Sequence, residues 1–212
     1  AMADHLGLDR LTHVDSTDVG GASVVSQIGH AAEAIAAGSC RVALVAMGGR
    51  PLQAAARPPG GAEAGARYQQ DVDLSQIAGY ALVAQRHMYE HGTTREQLAQ
   101  VKVAASLHAQ HNPRARLPYA VTLEEVLDSP LISDPLRRLD CCVTTDGGGA
   151  VVVAARDVVE QSGRRAAWVR GWSESLRTMS GGRLDLMRNG ADRTGPAAFA
   201  RAGIGPDDVD YA

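Results

Sequence analysis

Residues 12–49 read THVDSTDVGGASVVSQIGHAAEAIAAGSCRVALVAMGG. Thr12-His13-Val14-Asp15 predicts a short strand. Asp15 to Gly21 is a polar turn ending in two glycines. From Ala22 to Ala37 the apolar residues Val24, Val25, Ile28, Ala31, Ala32 and Ile35 recur at helical spacing. Gly38 stops that helix, as glycine commonly does just past a helix end. Arg41 to Met47 is then almost unbroken apolar sequence, which predicts a parallel strand covered on both faces. Strand, helix and strand in this order predict a βαβ unit with a right-handed crossover.

Outward from this unit the pattern changes at Pro51. Residues 51–70 carry Pro51, Pro58, Pro59, Gly60, Gly61 and Gly65, an excursion away from the sheet. Helices are expected over Ser75–His91, closed by Gly92, and Thr94–His111. The second is opened by a capping box Thr93-Thr94-Arg95-Glu96 and stopped before Pro113. Another box, Thr122-Leu123-Glu124-Glu125, opens a short helix. Sheet character returns after Asp146-Gly147-Gly148-Gly149, read as a turn, with a buried strand over Ala150–Ala155. A helix at Asp157–Gln161, a strand at Ala166–Ser173 and a helix at Pro196–Ala202 follow, with Pro196 in its first turn. Val209–Ala212 reads as the onset of another strand. The divisions expected are 1–50, a helical insertion at 51–137, 138–163, and 164–212. Both ends fall inside a pattern, so the chain is expected to be part of a larger α/β fold.

Composition excludes several classes. The 212 residues are 45% hydrophobic and 21% charged, unlike a disordered chain. Lys plus Arg is 21 against 24 Asp plus Glu, so nothing favours nucleic-acid binding globally. No apolar run approaches the ~18 residues of a membrane span. Cys40, Cys141 and Cys142 are an odd set that does not suggest a disulfide framework, so a reducing, cytoplasmic setting is expected.

Val14 to Arg50, with Gly20-Gly21-Ala22-Ser23, Ala34-Ile35-Ala36-Ala37-Gly38 and Val42-Ala43-Leu44-Val45, resembles the thiolase superfamily around its nucleophile helix. Leu127 to Cys142, running into Thr144-Thr145-Asp146-Gly147-Gly148-Gly149-Ala150, resembles the sterol-carrier and lipid-transfer branch of that superfamily. His87-Met88, Gly92-Thr93-Thr94-Arg95-Glu96-Gln97-Leu98 and Asn112-Pro113 fit the same branch. The resemblance implies a layered α/β/α thiolase-like fold, a helical loop domain, a homodimer meeting at the Thr12–Asp15 strand, and an acyl-CoA thioester as substrate with no bound cofactor. It also implies a longer protein, whose second half carries the remaining catalytic motifs.

In thiolases a cysteine opens this helix, where free backbone N–H groups stabilise its thiolate. Counting back from Ile35 and Gly38, the position falls on Gly21, which has no nucleophile. The resemblance therefore points to steroid side-chain aldolases, which share this loss. They cleave a carbon–carbon bond of a β-hydroxyacyl-CoA and work with an OB-fold/zinc-ribbon partner protein. Acetyl-CoA acetyltransferase or lipid-transfer activity, and a non-catalytic acyl-CoA-binding subunit, are the alternatives. The candidate site residues are Gly21, the lost nucleophile position, and Gly20, a possible backbone oxyanion donor.

Other candidates have plainer readings. Ser16 and Ser23 lie near the turn but show no base in sequence. His87-Met88-Tyr89-Glu90-His91 matches H-x-x-E-H, yet Gly92 ends the helix and no third ligand follows, so a solvated helix end is expected. His108 and His111 read as surface residues. His30 reads as a satisfied core or interface histidine, or one lining the cavity. Cys40, Cys141 and Cys142 read as small packing residues. Trp168 and Trp172 are expected on one strand face. Arg114 to Arg116, Arg137-Arg138 and Arg164-Arg165 could each meet a CoA phosphate, but solvated faces are expected.

Overall fold

A computed structural model describes residues 2–54, 76–175 and 189–211. The described residues form two compact units. One contains residues 2–49, 147–175 and 189–211; the other contains 50–54 and 76–146.

The first unit is built on β1 (Val42–Gly49) and β4 (Gly147–Ala154), with helix α2 (Ser23–Ala36) packed on them. Ala31, Ala34 and Val45 are buried where they meet. Small side chains let a helix approach a sheet closely, which is why an alanine-rich helix serves here. The strands pair antiparallel, from Val42 opposite Ala154 to Gly49 opposite Gly147. This corrects the expected parallel βαβ unit: an apolar run reports burial but not strand direction. Among the described residues, covering on both faces is also not found. Val42, Leu44, Met47, Val151 and Val152 are all at least 42% exposed.

Asp146 to Gly149 is not a turn before β4, because Gly147, Gly148 and Gly149 are rungs of the ladder. A Cβ on Gly148 would stand 2.9 Å from the Met47 carbonyl oxygen and 3.0 Å from the Gly48 Cα. The glycines thus permit close backbone approach at this end of the ribbon.

The strand expected at Thr12–Asp15 is absent. Residues 11–18 have no ladder partner among the described residues, and Val14 is 76% exposed. The strand expected at Ala166–Ser173 is irregular chain instead. Gly171 lies against helix α8 (Ala191–Ala202), where a Cβ would be 2.5 Å from the Ala198 carbonyl oxygen. That contact takes the place of a neighbouring strand. Helix α8 begins five residues before Pro196. The bond lost at Pro196 leaves the carbonyl of Asp192 open, at an exposed residue where water can serve it. Residues 209–211 form no strand; a 3₁₀ turn, Pro206–Asp208, precedes them.

Helix α1 (Met2–His5) starts the first unit, and α7 (Arg156–Ser162) follows β4. Gly163 closes α7 with φ +64°. Arg41 pairs with Asp157, and the Arg156 guanidinium lies 4.4 Å above the Trp168 ring.

In the second unit, α3 (Pro51–Ala54) is followed by α4 (Gln76–His91), α5 (Arg95–Ala109) and α6 (Leu123–Asp128). A hairpin of β2 (Leu131–Ser133) and β3 (Leu136–Arg137) comes after α6. Ala99, Val121 and Val126 form the core, with Val103, Leu123, Leu127 and Leu139 against it. Ser106 bridges this core: its hydroxyl donates to Val103 O at 2.7 Å and accepts from Val121 N at 3.0 Å. The box at Thr122 forms as expected, with Glu125 returning to the Thr122 N–H at 2.8 Å. The other box is shifted by one residue: Thr94 is the cap and Gln97 its partner. Two adjacent threonines make the choice invisible in sequence, and the extended backbone of Thr94 (φ −93°, ψ 167°) decides it. Of the proline-rich excursion expected at 51–70, residues 51–54 form α3 and the remainder lies in 55–75, outside the described residues, as does 176–188.

Candidate functional site

The start of α2 is where the sequence placed the site. Gly20 has φ +69°, a left-handed conformation that favours glycine. Its N–H donates to Asp18 Oδ1 at 3.1 Å, so in this structure the Gly20 amide already has an anionic acceptor. Ser23 is buried and ties the turn together: its Oγ accepts from Val19 N at 2.9 Å and donates to Gly20 O at 2.7 Å. Both of its hydroxyl functions are therefore engaged.

Gly21 differs from Gly20. Its φ is not positive, and a Cβ placed there would meet nothing within 4 Å. A side chain would fit. Sterics therefore do not require glycine at this position. Helix α2 has no side-chain cap at its N-terminus; Ala22 occupies the cap position. A carboxylate or enolate oxygen at this end would meet the positive end of the helix dipole.

Below the turn, one stripe of α2 grips the preceding segment. Ser23 takes the Val19 amide, Gln27 donates from Nε2 to Thr17 O at 3.0 Å, and His30 Nδ1 meets Asp15 Oδ2 at 2.7 Å. Helix positions 23, 27 and 30 lie on one face, and they engage every second residue of the extended segment, 19, 17 and 15. His30 also reaches Glu174 through Nε2 at 3.2 Å. The Trp172 ring stands edge-on to His30, with centroids 5.3 Å apart. A Cβ on Gly29 would be 2.3 Å from that indole, so the missing side chain makes room for it.

Two carboxylates facing one imidazole set its charge. Glu174, then Asp15, raise the His30 pKa above its ordinary value. Hydrogen bonding to His30 lowers Asp15 and Glu174 below theirs. With a carboxylate within hydrogen-bonding distance of each ring nitrogen, neither nitrogen is free to act as a base toward a substrate. His30 also lies about 10 Å along the helix from Ser23. No Ser–His couple exists at this turn. His30 is thus neither apolar core nor a general base. Its partner Glu174, 144 residues away, carries no sequence signal.

A hollow of about 600 Å³ opens in the first unit between residues 2–16, α2 and β1. Leu6, Leu11, Val14, Ala31, Val42 and Leu44 give it an apolar lining, and Asp15 and Gln27 border it. Neither Gly20 nor Gly21 lines it.

The remaining candidates fall elsewhere. His87 Nδ1 bonds Thr93 Oγ1 at 2.8 Å, and Glu90 pairs with Arg86. Among the described residues no three His, Cys, Asp or Glu side chains are grouped to hold a metal. His108 and His111 are exposed. Cys40, Cys141 and Cys142 are free thiols, and burial pushes Cys141 up. Trp168 and Trp172 do not share a strand face: one lies under Arg156, the other against His30. Arg137 is used internally, donating to Ser129 O at 2.7 Å. Arg114, Arg116, Arg164 and Arg165 are exposed. No helix among the described residues is long and apolar enough to cross a membrane.

No protein-family model matches the chain. Acetyl-CoA acetyltransferase of Methanothermobacter thermautotrophicus is 36% identical over 144 residues, covering 67% of this chain and 37% of that protein. The 17-hydroxy-3-oxo-4-pregnene-20-carboxyl-CoA lyase of Mycobacterium tuberculosis is 30% identical over 157 residues, covering 67% and 40%. A solved structure, "Ltp2-ChsH2(DUF35) aldolase", superposes with a TM-score of 0.85 at 25% identity, covering 98% of this chain and 56% of that one. The chain thus spans well under half the length of the two curated relatives.

Proposed function

Because this chain belongs to the thiolase superfamily, in its sterol-carrier branch, we propose that it is the N-terminal part of an enzyme that cleaves a carbon–carbon bond of an acyl-CoA thioester. The substrate class would be a lipid or steroid side-chain β-hydroxyacyl-CoA. The observation that carries the reading is Gly21. Thiolysis through an acyl-enzyme needs a sulfur at the tip of α2, and this position holds a hydrogen although a side chain would fit.

Aldol-type cleavage needs no such sulfur. A base takes the β-hydroxyl proton, the Cα–Cβ bond breaks, and the carbonyl product leaves. The bonding electrons pass into the thioester as an enolate, which is then protonated to the shortened acyl-CoA. The enolate oxygen is the charge to be stabilised. The uncapped first turn of α2 at Gly21 supports that role. Gly20 serves as a donor only if Asp18 releases its amide. The base and acid are assigned to the second half of a longer protein, since His30 and Ser23 are both committed. The names of the two enzymes that cleave carbon–carbon bonds, a lyase and an aldolase, support the reaction class.

The CoA thioester is substrate, and no resident cofactor is proposed. A homodimer with an OB-fold/zinc-ribbon partner protein is the expected assembly. The paired name of the solved aldolase supports a partner chain. Three free thiols support a cytoplasmic setting. The proposed domain scheme is 1–50, 51–137, 138–163 and 164–212.

The test is turnover by the full-length protein with its partner. β-Hydroxyacyl-CoA cleavage insensitive to iodoacetamide is expected. Robust thiolysis of a 3-ketoacyl-CoA, blocked by iodoacetamide, overturns the reading and restores the second one, a thiolase, which the 36% identity to an acetyltransferase favours.

A further inference from the structure

We propose that His30, gripped between Asp15 and Glu174, is a positioning residue that fixes the Asp15–Gly21 segment on α2 and releases it when the imidazole loses its proton. Three observations carry this. First, Ser23, Gln27 and His30 form a single stripe whose three bonds hold residues 19, 17 and 15. Of these three, His30 makes the only bond to a charged group. Second, His30 alone also engages a distant segment, through Glu174 at 3.2 Å. Third, both bonds are charge-assisted only while the ring is protonated; a neutral imidazole can donate to one carboxylate and must face the other with a lone pair.

The charged groups around the ring are few. Asp15 comes from the gripped segment, and Glu174 from residues 171–175. His13 bears weakly on Asp15. Arg201 bonds the Trp172 carbonyl at 2.8 Å and pairs with Glu33 at 3.9 Å, so its charge is already matched. Ser26 adds a hydrogen bond to Glu174. The Thr17 hydroxyl sits 3.5 Å from Nδ1 and is placed to bond it when Asp15 lets go.

The direction follows from linkage. A group whose pKa is raised on folding contributes stability that is whole below its unfolded value and lost as pH rises through its folded value. His30 is raised, so the grip weakens as pH rises beyond the ordinary imidazole value. Asp15 and Glu174 are lowered, so their contribution is lost only in acid. The segment is held best in mildly acidic to neutral solution.

The consequence for catalysis rests on the proposed function, because only there does the Gly20-Gly21 turn meet substrate; the grip itself does not. The test is amide hydrogen exchange on the full chain between pH 5.5 and 8.5, corrected for intrinsic rates. Protection of residues 15–21 should fall about tenfold as His30 deprotonates, with 76–140 unchanged. His30→Gln should abolish the pH step. Should that variant fail to fold, Glu174→Gln keeps the ring and must move the step to lower pH. A step that persists in His30→Gln, an unmoved midpoint in Glu174→Gln, or protection independent of pH overturns the proposal. Absence of acyl-CoA cleavage with the step intact would strike the proposed function alone.

Discussion

Helices α2 and α6 begin in opposite ways. At α6, Thr122 caps the Glu125 N–H and Glu125 returns the bond. One first-turn donor and the cap's own amide are met there by side chains of the box itself. At α2 the cap position is Ala22, and the chain enters through a left-handed Gly20 and an unobstructed Gly21. Its side-chain bonds reach backward to the entering segment instead. A helix start closed by its own side chains contributes stability; one left open by small residues can receive an anion. The same contrast separates the cores. Val126 is wholly buried beside Ala99 and Val121, whereas the α2–ribbon contact is alanine, valine and glycine with broad exposure on the strands.

That contrast can be broken by substitution. The largest effect is expected from Val126→Ala, which should cost about 2–3 kcal/mol through the cavity it leaves, read by urea denaturation. A loss under about 1 kcal/mol would mean that the α6 core collapses around the void. Gly29→Ala forces a methyl into the Trp172 ring and should cost about 1–3 kcal/mol. The ring-current shift that Trp172 imposes on the His30 protons should vanish from the NMR spectrum of that variant. Gly20→Ala imposes a side chain at φ +69° and should cost about 1–2 kcal/mol by the same denaturation assay.

Thr122→Ala should cost about 1 kcal/mol and leave the α2 turn untouched. An equal change in exchange at residues 19–21 would erase the distinction between the two helix starts. The smallest stability effect, within about 0.5 kcal/mol, is expected for Gly21→Cys. Its readout is chemical. The introduced thiol should alkylate with iodoacetamide faster than exposed Cys142, because a helix N-terminus lowers a thiol pKa. A rate equal to that of Cys142 would show that the start of α2 carries no useful field.

Much of the helical content was legible in sequence. The α2 periodicity with Gly38 behind it, the Thr122 box and the break at Gly92 each encode a helix boundary through bonds made within a few residues. Strands were less legible. The run Arg41–Met47 is a strand, but its direction and partner depend on β4, about a hundred residues on. Ala166–Ser173 has strand composition yet packs on α8 through Gly171. Gly21 could be located by counting from Gly38, because helix geometry makes that distance fixed. His30 could not be assigned, since its charge depends on Glu174.

By itself, then, the chain of residues determined the α2 and α6 helices and the stop at Gly92, that the run Arg41–Met47 is an apolar strand, and that no sulfur stands at the tip of α2. Those properties are local: they follow from periodicity, capping and the side chain present. Tertiary structure alone decided that the ribbon is antiparallel and that His30 is held between two carboxylates. Each of these depends on groups brought together by folding, and a pKa or a ladder partner is a property of neighbours in space.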